Sequence, residues 1–204
     1  MSLVTDLAAR LQARCDTGSR CLVALAGPPG AGKSTLAAEL AAALGAEAAV
    51  VPMDGYHLDN ALLQARGHLA RKGAPWTFDT GGLARDLQRL RADDGPVLVP
   101  VFDRDLDLAR AAAREILPAA RIVLVEGNYL LLDDPPWSAL AGVWDVGVRI
   151  EVPELVLRAR LVARWLHHGL DPASAEARAE SNDLPNARIV QARSRPADWV
   201  VAGG

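Results

Sequence analysis

Short apolar runs alternate along this chain with longer stretches in which apolar residues return every three or four positions. Cys21–Ala26 (Cys-Leu-Val-Ala-Leu-Ala) is nonpolar throughout, the pattern of a strand buried on both faces. Five more runs, at 49–53, 97–102, 121–125, 146–152 and 198–202, are each bounded by Gly, Pro or Asp and predict strands. Helical periodicity fills several of the gaps, at 34–44, 82–91, 153–167 and 172–191. Asp79 or Thr80 suits the cap of the second, and Pro153 suits the first turn of the third. Residues 2–16 place Leu3, Leu7 and Leu11 on one face with Val4 and Ala8, and Asp6 and Arg10 interrupt them. That segment reads as an amphipathic helix packed on the body of the protein, not as a signal peptide.

Strands alternating with helices predict an α/β fold, a mostly parallel sheet with helices on both faces and right-handed crossovers. No repeat or low-complexity linker divides residues 1–204, so one domain is expected. In such a sheet, ligands bind beyond the carboxyl edge of the strands. The strands ending before Gly27, at Asp54 and at Glu126 should therefore bring those positions to one place.

Composition narrows the function. A net charge of −3 argues against a general nucleic-acid or anionic-membrane binder. Half the residues are hydrophobic, yet no unbroken apolar stretch approaches the ~20 residues that span a bilayer. The two cysteines, Cys15 and Cys21, form no metal pattern and no C-x-x-C pair. They are expected to be thiols acting as small apolar filler in a reducing compartment, which points to the cytoplasm.

Residues 27–34 read Gly-Pro-Pro-Gly-Ala-Gly-Lys-Ser, a complete G-x-x-x-x-G-K-[ST] loop between a predicted strand and a predicted helix. In this motif the backbone N–H groups of Gly27, Pro28, Pro29, Gly30, Ala31, Gly32, Lys33, Ser34 and Thr35, proline excepted, can turn toward phosphates. Lys33 adds a point charge, Ser34 offers a hydroxyl to Mg²⁺, and the following helix aims its positive end at the anion. Lys33 and Lys72 are the only lysines in a chain otherwise basic through arginine.

Other candidates stand outside the loop. Asp54, at a strand end, suits a base for an attacking hydroxyl or a Mg²⁺ ligand; the alternative is a plain Asp-Gly turn. Glu126 ends the run 122–125 where a metal-associated carboxylate would sit. The segment 71–79, Arg-Lys-Gly-Ala-Pro-Trp-Thr-Phe-Asp, is a loop by composition; its Asp79 is either a helix cap or a hydroxyl acceptor. Arg158, Arg160 and Arg164 are solvated helix residues or a source of charge for a phosphoryl group, and His167 and His168 suit a helix end.

These motifs, in this order, resemble the uridine kinase, phosphoribulokinase and bacterial pantothenate kinase group of P-loop small-molecule kinases. The loop 27–35 corresponds to the group's ATP-phosphate site. Residues 53–57 (Met-Asp-Gly-Tyr-His) resemble a segment whose Asp is the base, and 125–127 (Val-Glu-Gly) resemble the group's strand ending in Glu-Gly. Residues 71–79 resemble a pantothenate kinase stretch and the shorter Pro-x-x-Phe-Asp of uridine kinases, which implies a substrate role for Asp79. The whole chain, through 53–60, 71–79 and 181–188, most resembles bacterial proteins described as fructose transport system kinases or nucleoside/nucleotide kinase-like proteins. The resemblance implies ATP and Mg²⁺ as cofactors, with Ser34, Glu126 and Asp54 as metal ligands. It implies Asp54, Lys33, Glu126 and Arg164 as catalytic residues, and a helical lid around 153–190.

Where uridine kinases hold uracil with aromatic and histidine residues, this chain has 100–107, Pro-Val-Phe-Asp-Arg-Asp-Leu-Asp. Its charges suit a polyhydroxylated or charged acceptor. Tyr56, Lys72, Asp79, Phe102, Arg104 and Asp105 are the candidate acceptor contacts, and 191–198 a candidate adenine wall. The expected activity is transfer of the γ-phosphoryl group of ATP to an alcohol, with a sugar or sugar-like metabolite as acceptor. The alternatives are a nucleoside or pantothenate-like kinase and an acceptor-independent ATPase. A small molecule, not nucleic acid or membrane, is the expected partner, and a homodimer is an open expectation.

Overall fold

The computed structural model describes residues 2–15 and 18–203. The chain begins with α1 (Leu3–Cys15), β1 (Cys21–Ala26), α2 (Lys33–Leu44) and β2 (Ala48–Pro52). It continues through α3 (Asn60–Ala65), α4 (Thr80–Ala92), β3 (Val97–Asp103), β4 (Leu108–Ile116) and β5 (Ile122–Gly127). β6 (Val146–Glu151), α5 (Glu154–His167), α6 (Pro172–Arg178), α7 (Leu184–Arg193) and β7 (Trp199–Ala202) complete it.

Five strands form one parallel sheet in the order β2-β5-β1-β6-β7. Every residue of β1 and β5 is buried, because alternate side chains enter two cores on opposite faces. Val23, Leu25 and Leu124 pack with Leu7 and Leu11 of α1, Leu36 and Leu40 of α2, and Leu157 and Leu161 of α5. Leu22, Ala24, Val123 and Val125 face Leu83, Leu87 and Leu90 of α4, with Tyr129 and Trp137. Register sets Leu25 and Pro52 level with Glu126 on either side of β5. The three strand ends predicted to converge do so.

Three expectations are corrected. The run 97–102 lies outside the parallel sheet: β3 pairs antiparallel with β4 in a separate ribbon. β4 (Leu-Ala-Arg-Ala-Ala-Ala-Arg-Glu-Ile) went unread because alanine and arginine favour helix and most of its positions are exposed; pairing with β3 overrides that local preference. The single helix expected over 172–191 is α6 and α7 joined by a π-helical turn, Ala179–Asp183. Finally, Cys15 and Cys21 are joined in a disulfide. The end of α1 and the start of β1 lie 5.5 Å apart at Cα, so the two are not the separate thiols expected; Asp16 lies outside the described residues. No helix among the described residues is long and apolar enough to cross a membrane.

Candidate active site

The turn between β1 and α2 begins under tight packing. A Cβ on Gly27 would lie 2.8 Å from the carbonyl oxygen of Ile150, so β6 can press against the loop only because that residue is glycine. Gly32, the residue before α2, has φ +87°, a left-handed conformation costly for any other residue. The chain thereby turns α2 so that Lys33 folds back into the loop. Its Nζ donates to the carbonyl of Pro28 at 2.9 Å, and the side chain is buried. Burial lowers the lysine pKa to about 8, against the opposing pull of Glu126 and Asp54.

Ser34 Oγ donates to Glu126 Oε1 at 3.2 Å. Burial, followed by the charge of Asp54, raises the Glu126 pKa above the usual carboxylate range. Asp54 sits in the single turn Met53–Tyr56 that follows β2. Gly127 lets this turn lie close to β5, since a Cβ there would collide with Met53. A cavity of about 220 Å³ is lined by Gly30, Gly32, Lys33, Ser34, Thr35 and Pro29 on one side. Asp54, Glu126, Asn128, Arg104 and Arg164 line the other.

A second cavity, of about 370 Å³, opens alongside and shares Pro29, Asp54, Arg104, Asn128 and Arg164 with the first. Its floor is aromatic: the His57 ring lies between Phe78 and Phe102, with centroids 4.1 and 4.7 Å away. Burial lowers the His57 pKa, and its Nδ1 is 2.8 Å from the carbonyl oxygen of Asp54. Three of the cations on its walls are matched by carboxylates, whereas Arg178 donates to Ala70 O and lies over the Trp165 ring. Lys72 pairs with Asp107 at 2.9 Å, Arg104 with Asp54 at 3.2 Å, and Arg164 with Asp183 at 3.2 Å. Asp183 also accepts from Trp165 Nε1 at 2.6 Å.

The π-turn supplies the roof. In a regular helix, consecutive residues cannot all face inward; here Asn182, Asp183 and Leu184 are all buried. Leu184 enters the core, whereas Asn182 and Asp183 line the cavity together with Asn186. Asn182 Nδ2 donates to the carbonyl of Lys72 at 2.9 Å, which fixes the amide orientation because a carbonyl only accepts. Its Oδ1 is buried with no partner. Arg71 ties the same loop to the turn, donating to Ser181 O at 2.6 Å and to Asn186 Oδ1 at 3.3 Å.

Several sequence-derived contacts are not in these cavities. Asp79 is an exposed helix cap, accepting from Gly82 N at 2.8 Å at the start of α4. Tyr56 is buried and donates to Asp86 Oδ2 at 2.9 Å, pointing away from both cavities into the contact with α4. Asp105 is an exposed residue at the ribbon tip, and Asp107, two positions on, lines the second cavity instead. Ala31 is buried with its N–H bonded to Pro28 O.

Pro28 lines a third hollow of about 440 Å³ between the end of β6 and α7, with Val152, Pro153, Val190 and Gln191. Within 191–198, only Gln191 reaches it. Of the α5 arginines, Arg158 meets Glu180 at 2.8 Å and Arg160 donates to Gly30 O at 3.3 Å, so Arg164 is the one lining both main cavities. The sequence reading missed His57, Asp107, Asn128, Asn182, Asp183 and Asn186. The run 181–188 was singled out by resemblance but carried no side-chain role, because nothing in its spacing announces the π-turn.

The oxygen donors fit Mg²⁺, a hard cation that keeps several waters and takes one or two protein oxygens. Ser34 Oγ and Glu126 Oε1 stand side by side next to Lys33. Among the described residues no group of three or more His, Cys, Asp or Glu side chains is arranged to hold a metal.

No protein-family model matches the chain. A crystal structure from Silicibacter sp. TM1040, of a "putative fructose transport system kinase", aligns with a TM-score of 0.93 at 50% identity. The alignment covers 98% of this chain and 100% of that one. A Schizosaccharomyces pombe protein named "putative uridine kinase" is 38% identical over 185 residues, 84% of this chain and 78% of its own. An Aspergillus versicolor "ATP-dependent kinase-like protein" is 37% identical over 161 residues, 74% of this chain and 94% of its own.

Proposed function

Because this chain belongs to the P-loop kinases, in the group of uridine kinases, phosphoribulokinases and bacterial pantothenate kinases, we propose that it phosphorylates an alcohol, with a sugar or sugar-like metabolite as acceptor. One observation carries the reading. Asp54 lines both the cavity that holds Lys33, Ser34 and Glu126 and the larger one beside it. A carboxylate at that junction stands between a bound triphosphate and a bound hydroxyl.

The residues divide the work accordingly. The loop amides and Lys33 hold the β- and γ-phosphates. The hollow beside Pro28 and Gln191 suits the nucleobase. Ser34 and Glu126 would hold Mg²⁺, which when bound neutralises phosphate charge. Asp54 takes the proton as the acceptor oxygen bonds to the γ-phosphorus. The bond from that phosphorus to the bridging oxygen breaks, and ADP leaves with its electron pair. Arg164, released from Asp183, adds charge at the transferring group, making α5 to α7 a lid. In the second cavity, Asn182, Asn186, Asn128 and Asp107 offer hydrogen-bonding groups above an aromatic floor, a lining suited to a hydroxyl-rich acceptor.

The test is ADP release from ATP with and without a panel of sugars, nucleosides and pantothenate, joined to detection of a product one phosphate heavier. Acceptor-dependent release by a sugar supports the reading, and release independent of every acceptor makes the protein an ATPase. Asp54→Asn should lower turnover by about 10²–10⁴-fold while affinity for a non-hydrolysable ATP analogue stays within about threefold. Turnover within a few-fold of wild type would remove Asp54 from the base role.

A further inference from the structure

Arg104 comes to the junction of the two cavities from a separate element. It follows β3 at the tip of the antiparallel ribbon, outside the parallel sheet that positions the other groups. Even so it lines both the phosphate-loop cavity and its neighbour. Its side chain is 58% exposed, and one guanidinium N–H is engaged with Asp54 Oδ2 at 3.2 Å. A guanidinium carries five N–H donors in a planar fork, so most of this one is uncommitted to Asp54. Its positive charge also acts on Lys33 and Glu126, deep in the phosphate side.

We propose that Arg104 is a catalytic residue of the phosphoryl side, exchanging Asp54 for the γ-phosphate oxygens when nucleotide binds. The physical grounds are charge and shape. The γ-phosphate presents more negative charge than one carboxylate and three oxygens in place of two, and the arginine fork matches phosphate in a bidentate way. The same exchange does a second thing: it uncovers the Asp54 oxygen that an acceptor hydroxyl must reach. Before the exchange the base is paired with the cation that then serves the phosphate. This assignment deepens the kinase reading above and rests on it for the identity of the anion.

The experiment needs no knowledge of the acceptor. Calorimetric titration with AMP-PNP and with ADP, both with magnesium, is compared for the wild-type chain, Arg104→Ala and Arg104→Lys. Loss of a charge-assisted contact at a half-exposed position should weaken AMP-PNP about tenfold in Arg104→Ala, with ADP changed less than about twofold. Arg104→Lys, which keeps a point charge without the fork, should lose about threefold for AMP-PNP. The unchanged ADP affinity doubles as the check that the variant is folded. AMP-PNP affinity within twofold of wild type overturns the proposal, and so does an equal fall for both nucleotides. Acceptor-dependent ADP release, measured separately, keeps the two readings apart. If it is absent while the selective loss of AMP-PNP affinity holds, the kinase reading fails and the γ-phosphate contact stands. The reverse result removes only the contact.

Discussion

The two cavities that meet at Asp54 are built in opposite ways. The phosphate cavity takes most of its lining from residues 29–35, one unbroken stretch clamped between β6 and the start of α2. The larger cavity is gathered from eight separate places: the phosphate loop at Pro29, the turn after β2, the 72–78 loop, the ribbon, Asn128 after β5, α5 with its end, α6 at Arg178, and the π-turn with α7. Contiguity makes the first rigid and legible from its own letters. The second depends on long-range docking such as Arg71 to Ser181 and Asn182 to Lys72, and its chemistry follows wherever those segments land. A common reaction can thus be fixed at one end while the acceptor is varied at the other.

The largest effect expected from this contrast is electrostatic and confined to the phosphate end. Lys33 has a pKa of about 8 because it is buried. A triphosphate stabilises the ammonium, so binding above that pH must take up a proton. Affinity for AMP-PNP should therefore fall by up to about tenfold per pH unit between pH 8 and pH 10. Titration in buffers of different ionisation enthalpy would show the accompanying proton uptake. The sign for folding is the opposite of a stabilising lysine. Since the folded pKa is below the unfolded value, the buried ammonium costs stability below pH 8, and that cost fades as pH rises toward 10.5. A flat affinity across this range would mean that the two ends are less different in burial than described.

At the other end, Asn182→Leu removes the unpartnered Oδ1 and the bond to Lys72 O together. It should raise acceptor KM about 10- to 30-fold and leave nucleotide KM within about twofold. Equal changes in both constants would erase the division between the cavities. Smallest is Asp79→Ala. With its side chain on Gly82 N, the variant should lose about 1 kcal/mol of stability in denaturant titration. Acceptor KM should not move; if it rises, Asp79 belongs to the acceptor site after all.

That last case shows where sequence reading ran out. By spacing alone Asp79 favours a cap over a hydroxyl acceptor, and it was resemblance that tilted the choice toward the substrate. The cap is a local matter of three residues, and it is what the backbone provides. Tyr56 and Asp105 were placed by proximity to motif residues, but each turns with its own element, one inward to Asp86 and the other outward at a ribbon tip. By contrast Lys33, Ser34, Asp54 and Glu126 were legible because strand ends in a parallel sheet must converge, whatever happens elsewhere. The parallel sheet was readable for the same reason: runs buried on both faces leave little choice of partner. β4 and the π-turn were not, since an arginine-rich strand and a one-residue change in helical period both look like ordinary helix on paper.

The three matched ion pairs lining the larger cavity carry a consequence for life in a crowded solution. Cells teem with free phosphate, sugar phosphates and organic acids, any of which would settle on a bare cluster of arginine and lysine. At Lys72, Arg104 and Arg164 a stray anion would first have to displace a resident carboxylate, which weakens the hold on visitors of low charge. The pairing thus favours a ligand that brings more negative charge than a single carboxylate does.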